Sequence, residues 1–156
     1  MESKPTQPNK VEEKKELSLN VLAADDRPDN REMFREVFEA LGHIAQVVED
    51  GNRLIQELSK PGANFDLVCS DNSMPKENQG LEVLQEIRAG KGSLEKIKGI
   101  PFILATTDTD GKTQKKTEEL GAVFMSKPFG LRDLKRKITD MEEMIKDFRE
   151  KKEATS

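Results

Sequence analysis

Five short apolar runs alternate along this chain with stretches in which apolar residues recur three and four positions apart. The runs are Leu19-Asn20-Val21-Leu22-Ala23-Ala24, Ile44 to Val48, Leu67-Val68-Cys69 (inside a stretch from Phe65 to Pro75), Ile100 to Ala105 and Ala122 to Ser126. Short and nearly continuous, they predict buried strands. Between them Met33, Phe34, Val37, Phe38 and Leu41 follow helical spacing, as do Leu54, Ile55 and Leu58, and then Leu81, Val83, Leu84 and Ile87. Asp29 with Glu32 three residues on predicts a capping box at the start of the first helix, and Gly42 suits its left-handed stop. Pro61-Gly62 stops the second helix, and Ala89-Gly90-Lys91-Gly92 reads as a loop. From Asp108 to Leu120 the chain is polar and lysine-rich, with Leu120 its main apolar anchor, so a weakly buried and mobile helix is expected.

The last helix differs from the others. Leu131, Leu134, Ile138, Met141, Ile145 and Phe148 alternate three and four apart, which is a heptad seam. Its early positions can pack on the sheet. Its later positions reach past the edge of a small domain, so they either join a second copy in a homodimer or begin a linker. Packing on the chain's own sheet needs no partner and is the preferred reading.

Strands alternating with helices imply right-handed crossovers and a parallel sheet covered on both faces, an α/β doubly wound architecture. Parallel strands share one carboxyl end, and ligands bind there. Asp25 and Asp26 follow the first run, Asp71 ends the third, Thr106 the fourth, and Lys127 follows the fifth. The topology therefore gathers these residues on one edge.

Composition trims the picture. Of 156 residues, 36% are charged and 34% hydrophobic, so part of the length buries little. Residues 1–17, with Pro5, Pro8 and the run Glu12-Glu13-Lys14-Lys15-Glu16, have the make-up of a disordered leader; a domain over 18–148 and a flexible tail over 149–156 complete the division. A net charge of -4 argues against a general nucleic-acid binder. Cys69 is the sole cysteine, in an apolar run that suits a buried inert thiol, and a reducing compartment fits. No run approaches the length of a membrane span, and the expected location is cytoplasmic. The one histidine, His43, follows the Gly42 stop and reads as a loop residue.

Three carboxylates on one edge repel each other unless a cation sits among them, and hard oxygen ligands with open positions suit Mg²⁺. A lysine and a threonine beside them supply an ammonium and a hydroxyl for the oxygens of a phosphoryl group. Its acceptor would be a carboxylate, and Asp71, single and flanked by a turn, is the candidate. Taken alone, Asp25-Asp26 also reads as a capping cluster, Thr106 as a strand-end hydroxyl and Lys127 as a solvated charge. Four strand ends agreeing favours the joint reading.

The pair Asp25-Asp26, Asp71 with Met74-Pro75 behind it, Thr106 after an apolar strand and Lys127-Pro128-Phe129 resemble the response-regulator receiver domain (CheY-like) of two-component phosphorelays. The resemblance implies a flavodoxin-like, five-stranded (βα)5 fold with an extended C-terminal helix. It implies Asp71 as phosphoacceptor from a histidine kinase or histidine phosphotransfer protein. It further implies Mg²⁺ on the Asp26 and Asp71 carboxylates and the Ser73 backbone carbonyl, with Asp25 acting through water. Lys127 would pair with the phosphoryl group, Thr106 would swing in to bond it, and Phe124 matches the family's switch aromatic. Two departures stand out: Lys76-Glu77-Asn78-Gln79 makes the loop before Gly80 one residue longer than usual, and the segment from Ala89 to Gly99 is also long.

The expected function is a Mg²⁺-dependent, stand-alone phosphorylation switch that assists its own chemistry without being an enzyme. It would present a partner-binding face around the fourth and fifth helices, where Lys112, Lys115, Lys116, Arg132, Lys135 and Arg136 lie. No DNA-binding domain is expected, so the output would pass to a downstream protein target. The alternatives are a Mg²⁺-dependent phosphohydrolase with an aspartyl phosphate intermediate, against which Ser73 stands where such enzymes carry a second acid, and an interaction module that is never phosphorylated.

Overall fold

A computed structural model describes residues 17–74, 76–108 and 111–155. The expected leader, Pro75 and Asp110 lie outside the described residues, apart from Leu17 at the leader's end. The strands are β1 (Asn20–Ala24), β2 (Ile44–Val48), β3 (Leu67–Asp71), β4 (Phe102–Thr106) and β5 (Val123–Ser126). They form one parallel sheet of order β2-β1-β3-β4-β5, the flavodoxin-like α/β fold. The central strands β3 and β4 are buried at every position, while the edge strand β2 leaves Ile44 67% exposed. That difference is why β3 and β4 read as unbroken apolar runs.

Helices α1 (Pro28–Ala40), α2 (Gly51–Ser59), α3 (Gln79–Ala89), α4 (Gly111–Glu119), α5 (Leu131–Asp140) and α6 (Glu142–Thr155) surround the sheet. On one face Phe34 and Phe38 of α1, Leu134 of α5 and Ile145 of α6 pack on Val21, Ala23, Cys69, Ile103 and Ala105. On the other, Leu54 and Leu58 of α2 and Leu84 and Ile87 of α3 pack on Leu22, Val68, Phe102 and Leu104. Alternate strand residues thus feed opposite cores. Cys69 is fully buried, and burial pushes its thiol far above the usual range, as an inert core residue requires. Among the described residues no helix is long and apolar enough to cross a membrane.

Several expectations need correction. The capping box at Asp29 does not form: α1 opens at Pro28 with Arg27 in the cap position and no side-chain cap, and Asp29 Oδ1 accepts from the adjacent Asn30 N–H instead of an amide further along the first turn. Proline in the first turn removes a donor that would have needed a cap. Gly42 takes the left-handed stop, at φ +92°. His43 is a loop residue but a buried one, its Nδ1 accepting from Leu19 N–H at 3.1 Å. The Gly-rich loop runs into a 3₁₀ helix, Gly92–Ile97, that buries Leu94. Arg88 ties this insertion to its surroundings: Nε donates to Leu120 O at 2.7 Å, and Nη1 donates to Lys98 O at 2.7 Å and Ile100 O at 2.9 Å. In α4 the buried residues are Thr113 and Thr117, whose hydroxyls donate to Asp108 Oδ2 and Thr113 O.

The heptad seam packs on the chain's own sheet, the preferred reading of its spacing. The helix breaks at Met141, and Met141, Ile145 and Phe148 are buried within this chain, while Leu131 is exposed. Ile145 joins one core and Phe148 the other, so α6 crosses beneath the sheet edge where the strands begin. The later seam positions, for which a second copy was the alternative, are taken up by the chain's own sheet. The stretch read as a tail from residue 149 is helical and tied down. Arg149 Nε and Nη2 donate to Asp66 Oδ1 and Oδ2 at 3.1 Å each, and Lys152 Nζ donates to Asp66 Oδ1 at 3.3 Å and Phe65 O at 2.7 Å. Asp66 also accepts from Asn20 N–H at 2.8 Å.

At the opposite edge, Gly80 lets α3 approach the end of β3. A Cβ there would lie 2.3 Å from Asp71 O, 2.9 Å from Asn72 Cα and 2.9 Å from Leu104 Cδ1. Gly80 N–H donates to Asn72 O, Leu81 N–H to Asn72 Oδ1, and Asn72 Nδ2 to Asn78 Oδ1. The longer loop closes through Asn78, whose φ of +65° asparagine tolerates better than most residues.

Two outcomes follow from these contacts. Gly80→Ala should cost about 2–3 kcal/mol, since backbone cannot yield as a side chain would, read as a lower urea midpoint. Burial alone would raise the Asp66 carboxyl, but the Arg149 hydrogen bonds, the Asn20 amide and the Lys152 charge outweigh it and hold it below the ordinary value. Its stabilisation is present above the ordinary carboxylate range and lost as pH falls through the lower folded value. Asp66→Asn should therefore destabilise by about 2–3 kcal/mol at neutral pH, and urea titrations should show the gap from wild type closing in acid.

Candidate functional site

The carboxyl ends of β1, β3, β4 and β5 surround a cavity of about 490 Å³ lined by Asp26, Asp71, Ser73, Thr106 and Lys127. Parallel register sets this up: Asp71 pairs with Ala105, and Thr106, one residue further along β4, pairs with Ser126, the residue before Lys127. Lys127 N–H donates to Thr106 O at 2.9 Å, and the Lys127–Pro128 peptide is cis.

Lys127 Nζ lies 3.2 Å from Asp25 Oδ2 and 3.2 Å from Asp71 Oδ1. Asp25 is fully buried, Asp71 is 8% exposed and Asp26 is partly buried. Ligand oxygens of Asp25, Asp26 and Asp71 all fall within 4.8 Å of one another. Burial, reinforced by the Asp25 charge, raises the Asp71 carboxyl above its ordinary value, with Lys127 opposing. For Lys127 burial acts downward, but Asp71 and Asp25 together outweigh it and hold the ammonium charged above its usual range. One lysine against three carboxylates leaves net negative charge in a partly dry pocket. That donor set, all hard oxygen with an open side, fits Mg²⁺.

Thr106 is buried, lines the cavity and accepts at Oγ1 from Asp108 N–H at 3.1 Å. Phe124 stands beside Leu104 on β5, partly buried, and is not among the residues lining the cavity. The structure thus brings Asp25, Asp26, Asp71, Ser73, Thr106 and Lys127 together and leaves Phe124 behind them. It adds residues that sequence reasoning passed over. Asn30 Nδ2 donates to Asp25 Oδ1 at 3.3 Å and Arg31 Nη1 to Asp25 O at 3.0 Å, both from the first turn of α1. Arg27, Met33 and Phe129 also line the cavity. For Asn30 and Arg31 the signal was position alone, in the first turn after Asp25-Asp26, whereas Phe129 already stood in the Lys127-Pro128-Phe129 motif and Met33 in the first helical pattern.

Comparison with known proteins agrees with this geometry. Residues 21–139 match the response regulator receiver domain family. The two-component response regulator ARR22 of Arabidopsis thaliana is 33% identical over 81 residues, 52% of this chain and 56% of that protein. The cyclic di-GMP phosphodiesterase response regulator RpfG of Xanthomonas campestris is 29% identical over 130 residues, 83% of this chain but 33% of that protein. The chain spans less than two thirds of the curated relatives it matches. The chemotaxis response regulator CheY4 of Vibrio cholerae superposes with TM-score 0.66 at 26% identity, covering 80% of this chain and 98% of CheY4. The response regulator TrrA of Thermotoga maritima, solved in complex with Mg²⁺ and BeF, superposes with TM-score 0.65 at 27% identity, covering 79% of this chain and 98% of TrrA. With the family matched over most of its length and the acid pocket at the shared strand edge, the chain belongs to the response regulator receiver domain family.

Proposed function

We propose that this receiver domain accepts a phosphoryl group on Asp71 from a phosphohistidine of a histidine kinase or phosphotransfer protein and passes the signal to a downstream protein. The observation that carries this reading is the placement of Lys127 Nζ at 3.2 Å from both Asp25 and Asp71 inside a cavity that Asp26 and Thr106 also line. A lysine so held is already positioned for the oxygens of a group arriving on Asp71.

In the transfer, an Asp71 carboxylate oxygen attacks phosphorus as the P–N bond breaks, and the electron pair leaves on the imidazole. Asp26, Asp71 and the Ser73 carbonyl would hold Mg²⁺, with Asp25 acting through water; bound there, the ion neutralises charge on the phosphoryl oxygens. Lys127 balances the remaining negative charge. The Thr106 hydroxyl turns to donate to a phosphoryl oxygen, giving up its place as acceptor from Asp108 N–H. That exchange releases the Asp108 N–H from Thr106, and Phe124 rotates into the space Thr106 leaves. The face of α4 and α5 then shifts population toward a partner-binding form. The reading places the protein in the cytoplasm. A phosphohydrolase is disfavoured because Ser73, two residues after Asp71, offers no second carboxylate to activate water or protonate a leaving group.

Incubation with Mg²⁺ and acetyl phosphate should add the mass of one phosphoryl group. The adduct should be absent in Asp71→Asn and in wild type with chelator. An adduct that survives Asp71→Asn unchanged sinks the assignment, and sustained release of phosphate from many phosphate esters would turn the reading to a hydrolase.

A further inference from the structure

Arg27 is a second cation on the acceptor cavity. It follows Asp25 and Asp26 directly, and its side chain lines the same space as Asp71, Thr106 and Lys127. Its backbone is fixed, since the Arg27 N–H donates to Asp25 Oδ1 at 3.0 Å. Its guanidinium is held on one side only: Nε lies 3.5 Å from Asp29 Oδ1, and among the described residues its terminal amino groups take no acceptor. Lys127, in contrast, is committed to Asp25 and Asp71. The two cations thus differ in reach, one bound at the floor of the cavity and one at its rim with the arginine side chain 68% exposed.

We propose that Arg27 determines donor preference. Resting on the phosphoacceptor reading of Asp71, it favours acyl phosphates, whose leaving group is a carboxylate, over donors that release an uncharged nitrogen base. In transfer from an acyl phosphate, the bond from Asp71 to phosphorus forms as the P–O bond to the acyl group breaks. The electron pair departs on a carboxylate and no proton moves. That carboxylate carries a full negative charge away from a pocket already rich in carboxylates, and a guanidinium fork at the rim pairs with it in two parallel hydrogen bonds. In transfer from a phosphorylated imidazole, the P–N bond breaks and the ring, already protonated on its other nitrogen, leaves uncharged. Arg27 has no charge to meet in that case. The discrimination comes from the leaving group, because both donors bring the same phosphoryl group.

The test compares acetyl phosphate with monophosphoimidazole at fixed Mg²⁺, following the phosphorylated fraction by mass. Arg27→Gln should slow acetyl phosphate about three- to fivefold, the upper scale of one exposed charge contact, and change monophosphoimidazole less than about twofold. Arg27→Lys, which keeps the charge and loses the fork, should fall between. Asp29→Asn, which releases the guanidinium, should keep or raise the acetyl phosphate preference. The preference should shrink as salt is raised, because the contact is exposed. Equal losses with both donors in Arg27→Gln, or no loss with acetyl phosphate, overturn the proposal while leaving Asp71 as acceptor. A wild-type chain that takes no phosphoryl group on Asp71 from either donor overturns the underlying reading, and this one with it.

Discussion

The ammonium of Lys127 between two carboxylates is the constraint on which the rest of the structure turns. Asp25 is fully buried and Asp71 nearly so, and two unneutralised charges at that depth would be costly to hold together. Lys127 makes the arrangement tolerable without making it neutral, because Asp26 stands in the same cluster. The remaining negative charge is what a divalent cation in the cluster would neutralise. The sheet supplies the geometry: β1, β3 and β5 must keep register to within a residue, since a one-residue slip would turn Asp71 or Lys127 to a different face. The close approach of Gly80 to the Asp71 carbonyl then locks β3 against α3.

A second buried carboxylate organises the other end of the same strand. Asp66 precedes β3, and Asp71 ends it. Both are acids paired with basic side chains, yet their surroundings drive them apart. Asp66 has two cations and a backbone amide and is held low, whereas Asp71 shares its one lysine with Asp25 and is pushed high. The first pairing is saturated and structural. The second is left short of positive charge, which is the condition for chemistry.

The strand-end acids, Thr106 and Lys127 were readable because continuous apolar runs such as Leu67-Val68-Cys69 announce central strands, and parallel topology does the rest. Residues set by long-range contact were not readable. Nothing near His43 says that its ring will accept from Leu19, and nothing near Asn72 says that it will cap α3 and bind Asn78. The seam from Leu131 to Phe148 shows how a local pattern is overridden. Its spacing is that of a coiled coil, but Asp66 and the exposed base of the sheet offered Arg149, Lys152 and Phe148 a partner within the chain. The 3₁₀ turn over Gly92–Ile97 was hidden by its glycines, which suggest a loop, while Leu94 anchors it.

The three carbonyls gathered by Arg88 have a mechanical consequence. Leu120, just past the end of α4, is fastened by the same guanidinium that holds Lys98 and Ile100 ahead of β4. At the other end of α4, Thr113 donates to Asp108, whose N–H donates to Thr106 at the end of β4. A shift of Thr106 would therefore reach α4 through Asp108, while the Arg88 clamp on Leu120, Lys98 and Ile100 ties the turn before β5 to the chain ahead of β4.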